Sequence, residues 1–183
     1  MAPTALPTQK THAVVNAVMD DLPLICQLFE EAIAFQQEHQ FIGWQNYDQS
    51  FIQQDIQAAQ LYKVMRGNDV AGIFSICYAD PLIWRDKERG DAIYLHRIVT
   101  NRSVATEKLF PQVLNWSKEL AVQKKRHFIR MDTWAANQPL IRYYQRFGFE
   151  FIENYTTADT PALPVQHRAL QVALLQLVLP AVT

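Results

Sequence analysis

Hydrophobic and polar positions change period several times along this chain, and each change marks an element. Residues 12–18 read as a first strand. Asp20 then precedes a stretch in which Leu22, Ile25, Leu28, Phe29, Ala32, Ile33 and Phe35 recur at helical spacing. Pro23 falls in the first turn, where a missing N–H costs little. That helix is expected to run to about His39. The segment QFIGWQNY is aromatic and aperiodic, and a second, shorter helix is expected over 48–59. LYKVMR and VAGIFSICY are strand-like runs on either side of Gly67-Asn68-Asp69, a hairpin turn by composition. Residues 80–91 are turn-rich and charged. AIYLHRIV has few polar residues and reads as a central strand. Val113, Leu114, Trp116, Leu120 and Ala121 share one face of a helix over 110–122. HFIRMDTW is a strand, and 138–147 a helix stopped by Gly148, a residue suited to the left-handed position after a helix. FEFIENY is a strand, 156–168 a loop, and LQVALLQLVL a closing strand.

The order β-α-α-β-β-β-α-β-α-β-β predicts one α/β (α+β) domain over 12–183. Consecutive middle strands pair antiparallel, and the strand-helix-strand unit gives a right-handed parallel crossover. The expected product is a mixed, mostly antiparallel sheet with a central parallel pair at about 92–100 and 127–133, and helices on both faces. Residues 1–11 read as a disordered lead.

Composition narrows the partners. A chain of 183 residues holds one proper core. A net charge of −1 gives no electrostatic case for nucleic acid or an anionic membrane as partner. Cys26 and Cys77 are too few and too far apart for a disulfide framework or a zinc site, so no metal is expected. No run approaches the ~20 apolar residues of a membrane span. A cytoplasmic home is expected.

One stretch carries more. IRMDTWAANQPLIRYYQRFGFE, residues 129–150, resembles the C-terminal half of the GNAT superfamily of acyl-CoA-dependent N-acyltransferases. There a strand leads to an Asn, then a helix with a Tyr, then Gly-Phe and another strand; Asn137, Tyr144, Gly148 and Phe149 fall at that spacing. YLHRIVTN resembles the strand before the family's pyrophosphate loop. The resemblance implies a parallel pair that splays apart, acetyl-CoA as cosubstrate, and transfer of its acetyl group to a primary amine of a small molecule or an exposed amino group. It implies cofactor contacts at Ile98, Val99, Arg102, Thr106, Lys108, Leu109, Phe110, Asn137 and Tyr144. Tyr144 is the implied acid for the departing thiolate, with Tyr143 as the built-in comparison and a core aromatic as the alternative. His96 is the implied base; the alternative is a packed histidine of a central strand. Alternation along that strand puts Tyr94, His96, Ile98 and Thr100 on one face.

The loop departs from the family pattern. Its glycines would fall on Lys108 and Phe110, its Arg or Gln on Ala105, and no glycine lies between Gly90 and Gly148. Pro111 supplies no N–H and pushes the helix start toward 108–110. Arg102, Ser103, Thr106 and Lys108 offer charge and hydrogen bonds instead, or form an ordinary solvated loop. A catalytically silent binding or regulatory protein of the same fold is therefore the second expectation, and the apolar terminal strand leaves a homodimer open. On the acceptor side, Phe41, Trp44, Tyr47 and Trp134 are the expected walls of an apolar or aromatic amine pocket, with Trp84 also at its border.

Overall fold

The structure, a computed structural model, describes residues 12–105 and 108–180; the expected lead at 1–11 and Thr106 lie outside the described residues. Seven strands form one sheet: β1 (His12–Asn16), β2 (Leu61–Arg66), β3 (Asp69–Cys77), β4 (Ala92–Thr100), β5 (Phe128–Trp134), β6 (Glu150–Thr156) and β7 (Gln171–Val178). Their spatial order is β1-β2-β3-β4-β5-β7-β6, and only β4 and β5 are parallel. The closing strand thus enters between β5 and β6, pairing with both. Val172, Ala173, Leu174 and Leu175 are all fully covered, which is why this strand shows an unbroken apolar run rather than alternation.

The helices divide between the two faces. On one, α4 (Leu109–Gln123) and α5 (Gln138–Gln145) cover Phe74, Ile76, Leu95, Met131 and Leu175. On the other, α1 (Leu22–Glu38) and α2 (Gln49–Gln57) cover Leu61, Ile73 and Val99. Phe74 is fully buried against Tyr62 and Trp116, so truncating it to alanine should cost about 3–5 kcal/mol. Among the described residues, no helix is long and apolar enough to cross a membrane.

Four expectations need correction. The 80–91 stretch contains a short helix, α3 (Pro81–Trp84), and a 3₁₀ turn at Arg85–Lys87. Trp84 does not border the cleft: it is fully buried beside Tyr94 and the Arg130 guanidinium. The first strand ends at Asn16 because the chain turns into a 3₁₀ segment at Met19–Asp21, where the Asp21 carboxylate accepts from the Val18 N–H and pairs with Lys63.

The fourth correction shapes the site. Ile73 pairs with Val99 and Ser75 with His96, so Arg97 and Ile98 together oppose Phe74 alone. This is a β-bulge, and Arg97 takes φ of +51°. The extra residue resets the alternation. Val99, not Ile98, shares the face of Tyr94 and His96, and its side chain sits in the α1–α2 core, while Ile98 turns toward α4 and α5. A left-handed arginine costs about 1–2 kcal/mol. Its guanidinium offsets this by pairing with Asp55 of α2 and donating to Ser75 Oγ at 3.1 Å.

Candidate active site

Pairing between β4 and β5 runs from Ala92 and Phe128 to Leu95 and Met131, then stops. Beyond this point both strands continue with no strand between them, and the first residues past the fork are His96 and Asp132. His96 Nδ1 lies 3.7 Å from Asp132 Oδ1, and His96 Nε2 lies 3.4 Å from Asp80 Oδ2. Asp80 stands just before α3, its backbone N–H held by the Glu88 carboxylate at 2.8 Å. An imidazole is thus clamped between two carboxylates, and the three side chains are only 13%, 11% and 5% exposed for His96, Asp80 and Asp132.

Burial resists charging His96, but the neighbouring Cys77 sulfur and Asp80 carboxylate outweigh it and hold the ring's proton well above the usual imidazole range. Burial, reinforced by the charge on Asp80, pushes Asp132 up to about 6 against the pull of His96 and Arg97. His167, from the β6–β7 connection, goes the other way: burial and the cations of His96 and Arg97 push it down to about 3, so it is a neutral imidazole. Ligand atoms of Asp80, His96 and Asp132 lie within 4.8 Å of one another, yet each carboxylate addresses a different ring nitrogen. That is the geometry of a clamped imidazole rather than of ligands converging on one ion.

Two cavities meet at this fork. The first, about 200 Å³, has Asp132, His96 and His167 on its floor, and Trp44, Trp134 and Gln36 among its walls. The two indoles meet edge to face at 5.8 Å. Trp44 is set by its own N–H, which donates to Gln36 Oε1 at 2.9 Å; a side chain on Gly43 would collide with that same amide. The second cavity is a groove of about 470 Å³ running past Ile98 and Thr100 to Arg102, Lys108 and Phe110. Ile98 and Tyr144 line both cavities.

Tyr144 is buried edge-on against Phe110, with ring centroids 4.8 Å apart. Burial first, then Tyr143 and the Asp132 charge, raise its pKa, so the phenol keeps its proton at neutral pH. Tyr143 lines the groove but not the first cavity, and packs on Phe147. At the far end of the groove Lys108 occupies the N-cap of α4 without a side-chain cap, leaving the first amides of that helix free of one.

The remaining expected site residues fare unevenly. Trp44 and Trp134 wall the first cavity. Phe41 does not: it lies outside, 56% exposed, against Phe35 and His39. Nor does Tyr47, which stacks on Phe29 and donates to Glu30 at 2.9 Å, because it knits α1 to the loop before α2. Val99 presents only backbone to a ligand. Asn137 spends both ends of its amide within the protein: Oδ1 accepts from the Leu140 N–H at 3.1 Å as the cap of α5, and Nδ2 donates to the Ile42 carbonyl at 2.8 Å. Arg102 lies over the Phe35 ring, 3.7 Å from its centroid. Leu109 lines the groove while its side chain wedges over Gly72. Asp80, Asp132 and His167 were not expected. Asp132 carried a signal, a lone carboxylate in an otherwise buried strand, level with His96 if the two strands run parallel. Asp80 and His167 arrive from loops and carried none.

No family model matches the chain. Among curated proteins it is similar to an uncharacterized N-acetyltransferase, YesJ, of Bacillus subtilis (strain 168), at 33% identity over 73 residues. The match covers 40% of this chain and 41% of that relative, so the chain spans less than half the length of the curated relative it matches. Among solved structures it is similar to a GNAT-family acetyltransferase from Listeria monocytogenes 4b F2365, with TM-score 0.74 and 23% identity over 92% of this chain and 95% of that one. It is also similar to YncA from Salmonella typhimurium, solved with its cofactor acetyl-CoA, with TM-score 0.60 and 15% identity over 94% of this chain and 96% of that one.

Proposed function

From the premise that the chain has the GNAT fold, we propose that it is an N-acetyltransferase that moves the acetyl group of acetyl-CoA to a primary amine. The observation that carries this reading is the meeting of the two cavities at Ile98 and Tyr144, over a floor made by His96 and Asp132. The groove suits the cosubstrate: an apolar stretch at Ile98 and Leu109 leads to two cations, Arg102 and Lys108, and to an uncapped helix start that favours an anion. When bound, acetyl-CoA supplies an activated acetyl thioester.

The protein's own groups supply the rest. An incoming amine is an ammonium at neutral pH and must lose a proton before its lone pair can attack. Asp132, held near 6, is matched to accept it. In this reading His96 is the cation beside Asp132 rather than the base, because the Asp80 carboxylate stands 3.4 Å from its second nitrogen. Past the fork, β4 amides without a β5 partner are suited to bond a developing oxyanion. Tyr144 keeps its phenolic proton and offers it where the cavities join, the point at which the thiolate departs.

Thermal unfolding with and without acetyl-CoA, followed by an amine panel with thiol release as readout, tests the reading. A ligand at 100 times its Kd adds about 2.7 kcal/mol. A clear upward shift and turnover of at least one amine are expected. An upward shift without turnover would favour the catalytically silent form of the fold, and no shift at millimolar acetyl-CoA would overturn the cosubstrate assignment.

A further inference from the structure

Resting on that reading of the site, we propose that the acceptor is an arylalkylamine: one aromatic ring carrying a short alkyl chain that ends in a primary ammonium. Three features of the acceptor cavity select this class.

The first is size. About 200 Å³ is below the usual range for drug-sized ligands. It holds one ring and a short chain, and excludes a multi-ring aminosugar from the cavity itself.

The second is the wall. Trp44 and Trp134 come from opposite sides of the cleft, one from the α1–α2 connection and one from the end of β5. Their edge-to-face contact at 5.8 Å makes an aromatic corner. Such a corner favours a third ring stacked on it, and an ammonium passing it gains from the indole faces. The Trp44 backbone N–H is tied to Gln36 and its ring packs on Phe29 at 5.3 Å, while Trp134 stands on a strand paired with β7, so the corner exists before a ligand arrives.

The third is the charge pattern. Asp132 is the one carboxylate among the cavity's lining residues; Asp80 stands behind His96 and is not among them. A single anion matches a single ammonium, and the further cations of a polyamine would find no second carboxylate in the lining. Arg97 and the His96 cation also line the cavity, but the guanidinium is taken by Asp55 and Ser75 and each His96 ring nitrogen faces a carboxylate, so neither is free to grip a substrate carboxylate. Amino acids therefore lack a partner for their acid group, whereas a decarboxylated aromatic amine needs none.

Titration calorimetry with phenethylamine, hexylamine and spermidine tests the class without requiring turnover, and acetylation of the same three amines follows. Phenethylamine is expected to bind at least tenfold more tightly than hexylamine, which has similar length and no ring. Trp134→Leu and Trp44→Leu should each erase most of that preference, and Trp44→Phe should restore part of it, which a merely misfolded variant would not allow. Asp132→Asn should weaken all ammonium ligands while keeping the ring preference. Equal or tighter binding of hexylamine or spermidine overturns the class, and their turnover would do so while leaving the acetyl-transfer reading intact. Selective phenethylamine binding without transfer to any amine upholds the class and overturns that reading. Absence of binding by all three amines overturns the proposal.

Discussion

At the fork, His96 and Asp132 sit on two central strands, are nearly covered, and touch each other and Asp80. A few residues further along the chain, Arg102 and Lys108 lie at the surface end of the groove, one resting on Phe35 and the other 5.7 Å from the Tyr143 ring. The first region is set by sheet register and has little freedom. The second is set by a loop whose cations, among the described residues, lie against aromatic faces. On the proposed reading, chemistry is built where geometry is over-determined, and cosubstrate affinity where it is adjustable. The absence of glycine from the loop fits this division. The close approach that glycine permits occurs instead at Gly72 on β3, where a Cβ would meet the Leu109 side chain and lie 2.6 Å from the Val99 carbonyl oxygen.

The sharpest break in that contrast is Asp132→Asn. Losing a general base should lower kcat by roughly 10²–10⁴-fold, and should remove an ascending limb of kcat/KM near pH 6 in the wild type. Stability should move oppositely. Asp132 binds its proton more tightly folded than unfolded, so its favourable contribution is full below the unfolded value of about 3.9 and is lost as pH climbs through about 6. The Tm of the Asn variant relative to wild type should therefore rise between about pH 4 and pH 6 and level off above, as measured by thermal scans at several pH values. Tyr144→Phe comes next, with kcat reduced about 10²-fold and KM for acetyl-CoA little changed, while Tyr143→Phe keeps nearly full turnover. If the 143 variant fails and the 144 variant does not, the groove and not the junction holds the acid.

Gly72→Ala tests the other region through the scaffold. Crowding of Leu109 and a backbone oxygen should cost about 1–3 kcal/mol in denaturant unfolding. Arg102→Ala should have a smaller effect, raising KM for acetyl-CoA by roughly 3–10-fold at low salt and less at high salt, with kcat preserved. An Arg102 effect on kcat equal to that of Asp132 would erase the contrast.

The helices and strands were legible because their periods are strong: β3 and β4 are nearly continuous apolar runs, and α5 carries Asn137 before it and Gly148 after it, the latter at φ +92°. The parallel pair followed from the crossover helix between its strands. What was not legible is instructive. Alternation assumes regular pleating, and the Arg97 bulge, which depends on Asp55 far along the chain, broke it after His96. The insertion of β7 between β5 and β6 is a choice of partner that no local pattern encodes. Of four aromatics offered as pocket walls, the sequence could not separate Trp44 and Trp134 from Phe41 and Tyr47, because all four are large and apolar and only the fold decides which face the cavity. Asp80 and His167 reach the site from separate loops, and a cluster assembled around His96 in this way is visible only in three dimensions.

The amide of Asn137 has a further consequence. Capping α5 with one atom and holding Ile42 with the other, it joins the helix beside the groove to the loop that carries Trp44. Anything that shifts α5 must pull on that loop, and linkage makes such coupling reciprocal: the factor by which acetyl-CoA tightens the amine is the factor by which the amine tightens acetyl-CoA. The two ligands should therefore bind with positive cooperativity, favouring a ternary complex over either binary one. Asn137→Asp keeps the capping oxygen and removes the donor to Ile42. It should leave each separate Kd within about twofold and bring the cooperativity factor, on the order of 5 or more in the wild type, close to one when amine titrations with and without CoA are compared.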